Sequence, residues 1–481
     1  MSTPFGDRPM LIGGEFVTGS DWIESTSPAT EELLGRVPAG TAEHVDMAVR
    51  AAAAAQPAWA ALSVWERGVK LRATAAAIRA RADEVKQLEA QDSGNTISNL
   101  NGDLYKAANQ LEYFAGLATE MKGETVPASA ANLHFTLRQP YGVVGRIVPF
   151  NHPYMFATAN LAAPLTAGNT VIVKSPETSP LSATIMAEIV RETLPAGVVN
   201  LLSGFGMPVG DAIARHPQVR RIGFTGSVAT GLAIQRAAAE TCVKHVSLEL
   251  GGKNPLIVMP DADVEQAMRI AVAGMNFAWA GQSCGSTSRI LVHESLYNRA
   301  VEIASALLDA IVVRDPLDPA SQMGPLNSRG HHARVLQHVA NAHQDGARLV
   351  AGGERPAGDS FKRGFWLRPT LFADVTPDMR IARDEVFGPV MAIMPWSDLD
   401  TAIRIANDSD YGLTAGIVTN HIGDALRTAK RIESGVVTIN GSAMHFVGMP
   451  FGGTKDSGIG GEEALEELLS YTHAKSVHII L

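Results

Sequence analysis

Residues 141–176 read YGVVGRIVPFNHPYMFATANLAAPLTAGNTVIVKSP, and this stretch decides the fold. A β-branched run at Val143–Val148 is followed by a helix-like segment at Tyr154–Leu165 and a second run at Thr170–Val173. Short apolar runs that alternate with helical windows predict parallel strands joined by helical crossovers. Because helices cover both faces of such a sheet, its strands are apolar on both sides. The stretch therefore predicts one unit of a doubly wound α/β sheet.

The same alternation continues downstream. The further strand-like runs are Val198–Leu202, Arg220–Phe224 and His245–Leu248, and the helix-like segments between the runs are Ser182–Leu194, Val209–Arg215 and Ala229–Thr241. Ligands of such sheets bind beyond the carboxyl ends of the strands, so we expect functional residues in the loops that follow each run. Upstream, the alanine-rich region Thr41–Ala118 has helical patterning, and we interpret it as scaffold.

A second α/β series begins near Asn254. Its predicted strands are Pro255–Met259, Arg289–His293, Ala392–Pro395, Thr414–Thr419 and Val436–Ile439, and its predicted helices are Ala262–Ala278, Glu294–Val312 and Gly330–Asp345. Two peripheral segments, Glu124–Gln139 and Tyr471–Leu481, alternate or run extended with no helix between them. Strands in such positions often pair across subunits, which favours a homo-oligomer.

Composition narrows the functional class. The chain has 481 residues, enough for two or three domains, and a formal net charge of −9 without long runs of like charge. We therefore expect neither nucleic acid nor membrane as a partner, and no apolar stretch approaches the ~20 residues of a membrane helix. The two cysteines lie far apart, which argues against a disulfide framework and a zinc site. Residues 1–10 lack a signal-peptide pattern. We expect a cytoplasmic protein without a metal.

Cys284 is the first candidate for chemistry. It lies in GQSCGS, residues 281–286, where small neighbours leave the backbone open to a substrate. Its alternatives are a buried packing cysteine, the usual fate of a lone thiol, or a metal ligand, and no His or Cys at ligand spacing supports the metal. The local sequence leaves nucleophile and packing residue open.

Two polar residues at strand ends are further candidates. Glu249, in LELGGKNP at 248–255, ends an apolar strand, where burial would raise its pKa toward the range of a general base. Its alternative is a carboxylate paired with Lys253. Asn151, in VPFNHP at 148–153, lies between two prolines and could donate to an oxyanion. Its alternative is a cap of the next helix.

Three segments could bind a nucleotide. Lys174 and Glu177 follow a strand and could hydrogen-bond a ribose, or they could form a solvated turn. Gly226 and Ser227 follow the next strand but one and open a helix, whose N-terminus suits a phosphate. The glycine loop at 204–210 has a three-residue gap where the dinucleotide fingerprint has two, so it fails as that motif.

Together these pieces resemble the aldehyde dehydrogenase superfamily, of the hydrolytic NAD(P)-dependent type. The resemblance runs from about Gly13 to the C-terminus, and its motifs follow one order: PFNHP at 149–153, KSPE at 174–177, FTGS at 224–227, LELGGKNP at 248–255, GQSC at 281–284, EVFGPV at 385–390 and PFGGTKDSGIG at 450–460. Seven motifs in that order are hard to obtain by chance.

The resemblance implies a role for each matching position. Cys284 would be the nucleophile, Asn151 with the Cys284 backbone N–H the oxyanion hole, and Glu249 the general base. The implied cofactor-binding residues are Phe150, Lys174, Glu177, Gly226, Ser227, Glu385 and Phe387. The implied fold has a Rossmann-like cofactor domain (1–122 and 141–250), an α/β catalytic domain (251–452) and a small β oligomerisation arm (123–140 and 466–481), which forms a homodimer or homotetramer.

The implied activity is oxidation of an aldehyde to a carboxylic acid through a cysteine thiohemiacetal and thioester. We expect NAD to be preferred over NADP, because the carboxylate of Glu177 would accept a hydrogen bond from the ribose and repel a 2′-phosphate. The alternatives are a CoA-acylating aldehyde dehydrogenase, in which CoA takes the acyl group, and a catalytically silent structural relative. Intact Cys284, Glu249 and Asn151 argue against the silent relative.

The resemblance also implies a substrate pocket. Its candidate residues are His152, Phe156, Ala159, Trp279, Ser283, His445 and Phe451. None of these positions carries Arg or Lys, which weighs against semialdehydes that bear a carboxylate. We expect an aromatic, terpenoid or aliphatic aldehyde with an apolar body, and a cationic amino-aldehyde stays open.

The chain departs from the family pattern in two places. Cys284 follows Glu249 by 35 positions (284 − 249), one more than is usual, and we place the extra residue within Gly274–Ala280. Gly461 stands where an arginine is common.

Overall fold

The structure is a computed structural model that describes residues 3–442 and 444–480. Its strands are β1 (Gly6–Asp7), β2 (Met10–Ile12), β3 (Glu15–Val17), β4 (Trp22–Thr26), β5 (Leu33–Pro38), β6 (Thr125–Ser129), β7 (Asn132–Pro140), β8 (Val143–Ile147), β9 (Thr170–Lys174), β10 (Val199–Leu202), β11 (Val219–Thr225), β12 (His245–Glu249), β13 (Pro255–Val258), β14 (Arg289–His293), β15 (Arg348–Ala351), β16 (Thr370–Ala373), β17 (Val390–Trp396), β18 (Tyr411–Gly412), β19 (Thr414–Val418), β20 (Val436–Ile439), β21 (Thr454–Lys455), β22 (Gly458–Ile459) and β23 (Thr472–Ile480).

The α-helices connect these strands. They are α1 (Ala42–Ala61), α2 (Val64–Ala80), α3 (Ala82–Ser93), α4 (Leu100–Gly116), α5 (Pro153–Ala159), α6 (Ala162–Thr166), α7 (Ser182–Thr193), α8 (Asp211–Arg215), α9 (Val228–Ala239), α10 (Val264–Gly274), α11 (Tyr297–Asp309), α12 (Arg329–Gln344), α13 (Arg380–Arg383), α14 (Leu399–Asn407), α15 (Ile422–Ala429) and α16 (Leu465–Ser470). None of the helices in the described part of the chain is long and apolar enough to cross a membrane.

The first large sheet has eight strands in the order β22-β12-β11-β8-β9-β10-β2-β3. Its five central strands are parallel, and β22, β2 and β3 extend it with antiparallel pairing. Alternate residues of β9 enter different cores, since Val171 and Val173 pack into one and Ile172 into another. This alternation is the burial on both faces that the apolar runs predicted. The predicted doubly wound α/β fold is confirmed.

The register of this sheet brings functional candidates to one edge. Ile147 of β8 lies opposite Lys174 of β9, and Thr225 of β11 lies opposite Glu249 of β12. Because these strands are parallel, their carboxyl ends and the loops that follow them meet at the same edge. The α4 helix packs on α5, which directly follows β8, so α4 also reaches this edge.

The second large sheet has seven strands in the order β15-β16-β17-β14-β13-β19-β20. All neighbours are parallel except β15, which pairs antiparallel with β16. The five predicted strands are present, whereas β15 and β16 were not predicted. β20 forms an edge, and its four residues are half-buried. This sheet has its own hydrophobic core, built from residues 256–432.

Several predicted helices are split or shorter in the structure, and one of them is Glu294–Val312, of which α11 covers Tyr297–Asp309. Tyr154–Leu165 is split into α5 and α6, because Pro164 has no N–H to bond to the Asn160 carbonyl and its ring opposes a continuous helix. α8 covers the last five residues of Val209–Arg215, after a π-helical turn at Gly206–Gly210. α10 ends at Gly274, and Asn276 then has a left-handed φ of 56°.

The two peripheral segments form a separate sheet. β7 pairs antiparallel with both β6 and β23, and the β7–β23 ladder extends from Thr472 opposite Pro140 to Ile480 opposite Asn132. The predicted strands therefore pair within the chain. The assignment of this sheet as an oligomerisation arm stays a prediction, as do the domain bounds.

Candidate active site

The loop that carries Cys284 is held by the side chain of Asn254. The amide nitrogen Nδ2 donates to the carbonyls of Cys284 (2.7 Å) and Ser286 (2.9 Å), while Oδ1 accepts from the backbone N–H of Thr414 (3.0 Å). Gly252 allows this packing, because a Cβ there would lie 2.7 Å from the Cys284 carbonyl oxygen. Cys284 is a half-buried residue with a free thiol, and it is not a member of the hydrophobic core clusters of the described residues.

Asn151 lies against the same loop. Its Nδ2 donates to the carbonyl of Gln282 at 2.9 Å, and its own carbonyl accepts from Asn95 at 2.8 Å. The alternative role as a helix cap is wrong, because the N-cap of α5 is His152. Asn151 Nδ2 keeps a second hydrogen atom that can point at an oxygen bound near Cys284. The Asn151 amide contacts the loop that carries Cys284, although 133 residues (284 − 151) separate the two residues in sequence.

Glu249 ends β12 and is 7% exposed. Its Oε2 has no hydrogen-bond partner among the described residues. The alternative pairing with Lys253 is wrong, because the Lys253 Nζ is buried and also lacks a partner within residues 3–442 and 444–480. Burial raises the pKa of Glu249 well above its ordinary value, and the charges of Glu462 and Glu467 add to the effect. A carboxylate with a raised pKa is a stronger base than an ordinary glutamate, which suits it to accept a proton.

The thiol and the carboxyl group affect each other. Burial raises the pKa of Cys284 to about 12, with smaller contributions from the negative charges of Glu385 and Glu249, and Lys106 acts in the opposite direction. The thiol is therefore protonated near neutral pH in this state. The thiol must lose its proton before the sulfur can attack a carbonyl. Glu249 is a buried carboxyl group whose charge affects the pKa of Cys284, and it can accept that proton.

Lys174 and Glu177 form a pair at the carboxyl end of β9. Lys174 Nζ lies 2.8 Å from Glu177 Oε2, and the Glu177 side chain is 43% exposed. A carboxylate held in this way at a sheet edge can accept from a sugar hydroxyl. Gly226 and Ser227 follow β11, and the Ser227 hydroxyl caps α9 by accepting from the Thr230 N–H (3.3 Å). The first N–H groups of α9 remain available to an anion.

Glu385 and Phe387 lie in the loop before β17, and the Phe387 ring contacts Phe150, which follows β8. Glu385 Oε1 accepts from the Gly252 N–H at 2.9 Å, and a Cβ at Gly251 would lie 2.1 Å from Oε2. Burial raises the pKa of Glu385 to about 7. The rings of Phe150 and Phe387 meet edge to face at 5.7 Å between centroids. Two carboxylates, Glu177 and Glu385, and the N-terminus of α9 are groups that can bind a nucleotide cofactor.

The predicted pocket residues form two aromatic groups. The His152 ring lies 4.9 Å from Trp279 and 5.9 Å from Phe156, and the His445 ring stacks on Phe451 at 4.2 Å. Ala159 is buried on α5, and Ser283 is half-buried beside Cys284. The segment before Cys284, where we placed the extra residue, reverses direction at Asn276 and again at Ala280, both with left-handed φ.

One helix of the region that we interpreted as scaffold, α4, contacts a predicted pocket residue. Asp103 and Lys106, one turn apart on this helix, contact the pocket: Asp103 Oδ2 lies 2.9 Å from His152 Nδ1, and Lys106 Nζ lies 2.5 Å from Glu463 Oε1. His445 Nδ1 contacts the same Glu463 oxygen at 2.9 Å. The predicted set of pocket residues did not include Lys106, which is ion-paired with Glu463. No local motif marked these residues, because only packing on α5 brings them to the site.

Known proteins match nearly the whole chain. The family model described as "Aldehyde dehydrogenase family" matches residues 16–477. Aldehyde dehydrogenase tropH of Talaromyces stipitatus is 44% identical over 470 residues, which cover 95% of this chain and 90% of that protein. The NAD+ complex of an aldehyde dehydrogenase from Bacillus cereus has a TM-score of 0.96 at 37% identity and covers 99% of this chain and 97% of its own.

A further similar structure is a complex with a different nucleotide. The structure of 3,6-anhydro-L-galactose dehydrogenase in complex with NAP has a TM-score of 0.96 at 33% identity, covering 98% of this chain and 100% of that one. The agreement of sequence, fold and site is sufficient to assign the family. The chain belongs to the aldehyde dehydrogenase family.

Proposed function

We propose that this enzyme oxidises an aldehyde to a carboxylic acid with NAD, through a thiohemiacetal and then a thioester on Cys284. One observation supports the proposal most strongly. Asn151 donates to the carbonyl of Gln282 at 2.9 Å, two residues before Cys284. Glu249 has a buried oxygen without a hydrogen-bond partner among the described residues, and its charge contributes to the raised pKa of Cys284. Nucleophile, oxyanion donor and base are thus available from three remote segments.

The first half of the reaction forms a covalent adduct. Cys284 loses its proton, and its sulfur attacks the aldehyde carbon while the carbonyl oxygen becomes an oxyanion. Asn151 Nδ2 and the Cys284 backbone N–H donate to this oxyanion, and one such donor contributes about 3–4 kcal/mol of transition-state stabilisation. Covalent attachment helps because an oxyanionic thiohemiacetal releases hydride far more readily than a free aldehyde. NAD, when bound, supplies the hydride acceptor.

The second half releases the product. Glu249 removes a proton from water, the resulting hydroxide adds to the thioester carbonyl, and the carbon–sulfur bond breaks. The thiolate is then protonated and the carboxylic acid leaves. Because Glu249 is present and buried at the strand end, hydrolysis is favoured over transfer of the acyl group to CoA. The CoA-acylating alternative predicts an acyl-CoA product when CoA is added to the assay.

Glu177 and Lys174 would hold the adenosine ribose of the cofactor. The partly exposed carboxylate can accept from a ribose 2′-OH, whereas a 2′-phosphate would place two negative charges beside it. We therefore propose that NAD is preferred and that NADP is used less well. Comparable kcat/KM with the two nucleotides would contradict this preference.

For the substrate, the aromatic side chains of Phe156, Trp279 and Phe451 favour an aldehyde with an aromatic, terpenoid or aliphatic body. The test is NADH formation with purified protein over a panel of such aldehydes. Cys284→Ala should abolish oxidation. Cys242→Ala is the matched control, because this thiol lies outside the site and contacts the Pro217 carbonyl, and it should leave oxidation intact. A wild-type protein that forms no NADH with any aldehyde would contradict the proposal.

We also propose that the protein is a homo-oligomer. β20 forms the edge of its sheet beside a cavity of about 330 Å³, which is lined by residues of β20 and of the segment 444–451. That segment exposes Met444, Phe446 and Met449, and the β6–β7–β23 sheet exposes Leu133, Leu137 and Ile480. Exposed apolar patches and open edge strands are typical of surfaces that a second copy covers.

A further inference from the structure

The side chain of His152 is held by a buried carboxylate. Its Nδ1 lies 2.9 Å from Asp103 Oδ2, and the side chains are 13% and 10% exposed. Because an ionised carboxylate only accepts, Nδ1 donates, and in the neutral ring Nε2 is left as an acceptor. Nearby, burial and then the charge of Asp103 raise the pKa of Glu89 to about 8. Glu89 is therefore protonated near neutral pH.

The Nε2 atom of His152 is available to a ligand. It has no hydrogen-bond partner in the described part of the chain, and it is accessible to solvent. The ring is fixed between Trp279, tilted at 46°, and the edge of Phe156. His152 also directly follows Asn151, the proposed oxyanion donor. A planar substrate held near Asn151 would therefore meet Nε2 among aromatic walls.

The charges around the pocket disfavour an anionic substrate. Lys106 and His445 both contact Glu463. Burial alone would raise the pKa of Glu463, but the interactions with His445 and Lys106 outweigh burial and lower this pKa to about 2. His152 is likewise paired with Asp103. Each cationic or titratable nitrogen on this side thus already faces a carboxylate. A substrate carboxylate would add a third negative charge in a partly desolvated site, whereas a neutral hydroxyl group would not.

From this geometry we infer that the substrate is an aromatic aldehyde that carries a hydroxyl group, whose O–H donates to Nε2 of His152. The inference rests on the proposed function and specifies its substrate class. His152 acts as the specificity-determining residue, and Asp103 acts through it as a positioning residue that fixes the ring tautomer.

The wild-type enzyme provides the first test. We would measure kcat/KM at saturating NAD for benzaldehyde and for its 3-hydroxy, 4-hydroxy, methoxy and 4-carboxy derivatives. A methoxy group keeps the oxygen but has no hydrogen to donate. We expect the better hydroxy isomer to exceed its methoxy counterpart by about three- to tenfold, the range of one hydrogen bond. We expect the carboxy derivative to be the poorest substrate.

Two variants test the residues. In His152→Phe, the ratio of kcat/KM for the hydroxy and methoxy aldehydes should fall to near one, and this ratio is insensitive to a general loss of activity. In Asp103→Asn, the amide can donate to Nδ1, which moves the ring proton to Nε2 and should reverse the preference toward the methoxy aldehyde. His421→Phe is the control with an unchanged ratio, because His421 is 71% exposed and follows β19 at the edge remote from Asn254.

The possible outcomes separate this inference from the proposed function. If benzaldehyde is oxidised but hydroxy and methoxy aldehydes are equal, or the methoxy aldehyde is better, the inference is overturned and the proposed function stands. If no aldehyde yields NADH, both fail. Should His152→Phe not fold, the wild-type comparison and Asp103→Asn still decide. A carboxy derivative that surpasses the hydroxy aldehydes would also overturn the inference.

Discussion

Replacing Asn254 by alanine should destabilise the protein and reduce its turnover together. The Asn254 side chain is 2% exposed and makes three hydrogen bonds, to the carbonyls of Cys284 and Ser286 and from the N–H of Thr414. Each buried backbone group left without a partner costs about 1–3 kcal/mol. Three groups give about 3–9 kcal/mol, and we expect the lower end, because a water molecule can enter the space left by the amide.

Turnover should fall because the same bonds position the thiol. A displacement of about 1 Å at a reacting atom can reduce the rate about 100-fold, and we expect a loss in kcat of that order. Urea unfolding followed by tryptophan fluorescence reports stability, and NADH formation reports turnover. Asn101→Ala is the matched control, since Asn101 is exposed and its change should stay within about 0.5 kcal/mol. An Asn254→Ala protein with wild-type urea midpoint and turnover would refute the reasoning.

Four further outcomes follow from the site and the sheets. Glu249→Gln should form its first equivalent of NADH per active site more slowly than the wild type, because the acceptor for the thiol proton is lost, and should then stall, because the thioester is not hydrolysed; steady turnover at the wild-type rate would contradict this. Since burial raises the pKa of Glu249 and only its ionised form accepts a proton, kcat should rise with pH and reach half its maximum well above the ordinary glutamate pKa; a flat profile would exclude that role. Gly251→Ala should raise the KM for NAD, because the new Cβ would lie 2.1 Å from Glu385 Oε2 and would displace this proposed cofactor-binding side chain. Gly330→Ala is the control that should leave the KM unchanged, because nothing lies within 4 Å of its Cβ. Deleting residues 472–481 should reduce the assembly size in size-exclusion chromatography, and an unchanged elution volume would argue against the arm.

The sequence was sufficient for the parts of the fold with strong local patterns. Val143–Ile147 and Thr170–Lys174 are apolar on both faces, so their burial in a parallel sheet could be predicted. The ends of such strands also indicated Asn151 and Glu249, because a polar residue after an apolar run is costly unless it has a role. The contact of Asn151 with Gln282 could not be predicted, since it depends on how separate segments meet. For both residues the structure excludes the pairing or capping alternative.

Other features lacked any local signal. β15 (RLVA) and β16 (TLFA) each contain a single β-branched residue, whereas the predicted β20 (VVTI) consists of them. Asp103 and Lys106 lie on a helix whose sequence resembles an ordinary surface helix, and their role depends on the packing of α4 on α5. Asn254 stood inside a recognised motif, yet its hydrogen bonds to the Cys284 loop become evident only in three dimensions. Tertiary contacts therefore supplied what periodicity could not.

The ionisable groups around the thiol share one electrostatic property, which is that burial shifts each toward its uncharged form. It raises the pKa of Cys284 to about 12 and of Glu385 to about 7, and it lowers the pKa of Lys253 to about 7. Isolated charges in such surroundings cost several kcal/mol, so the resting site holds few of them. Forming a thiolate therefore requires a proton acceptor within the site. The burial that makes Cys284 a weaker acid also makes Glu249 a stronger base, so the two effects oppose each other in the transfer of a proton between them.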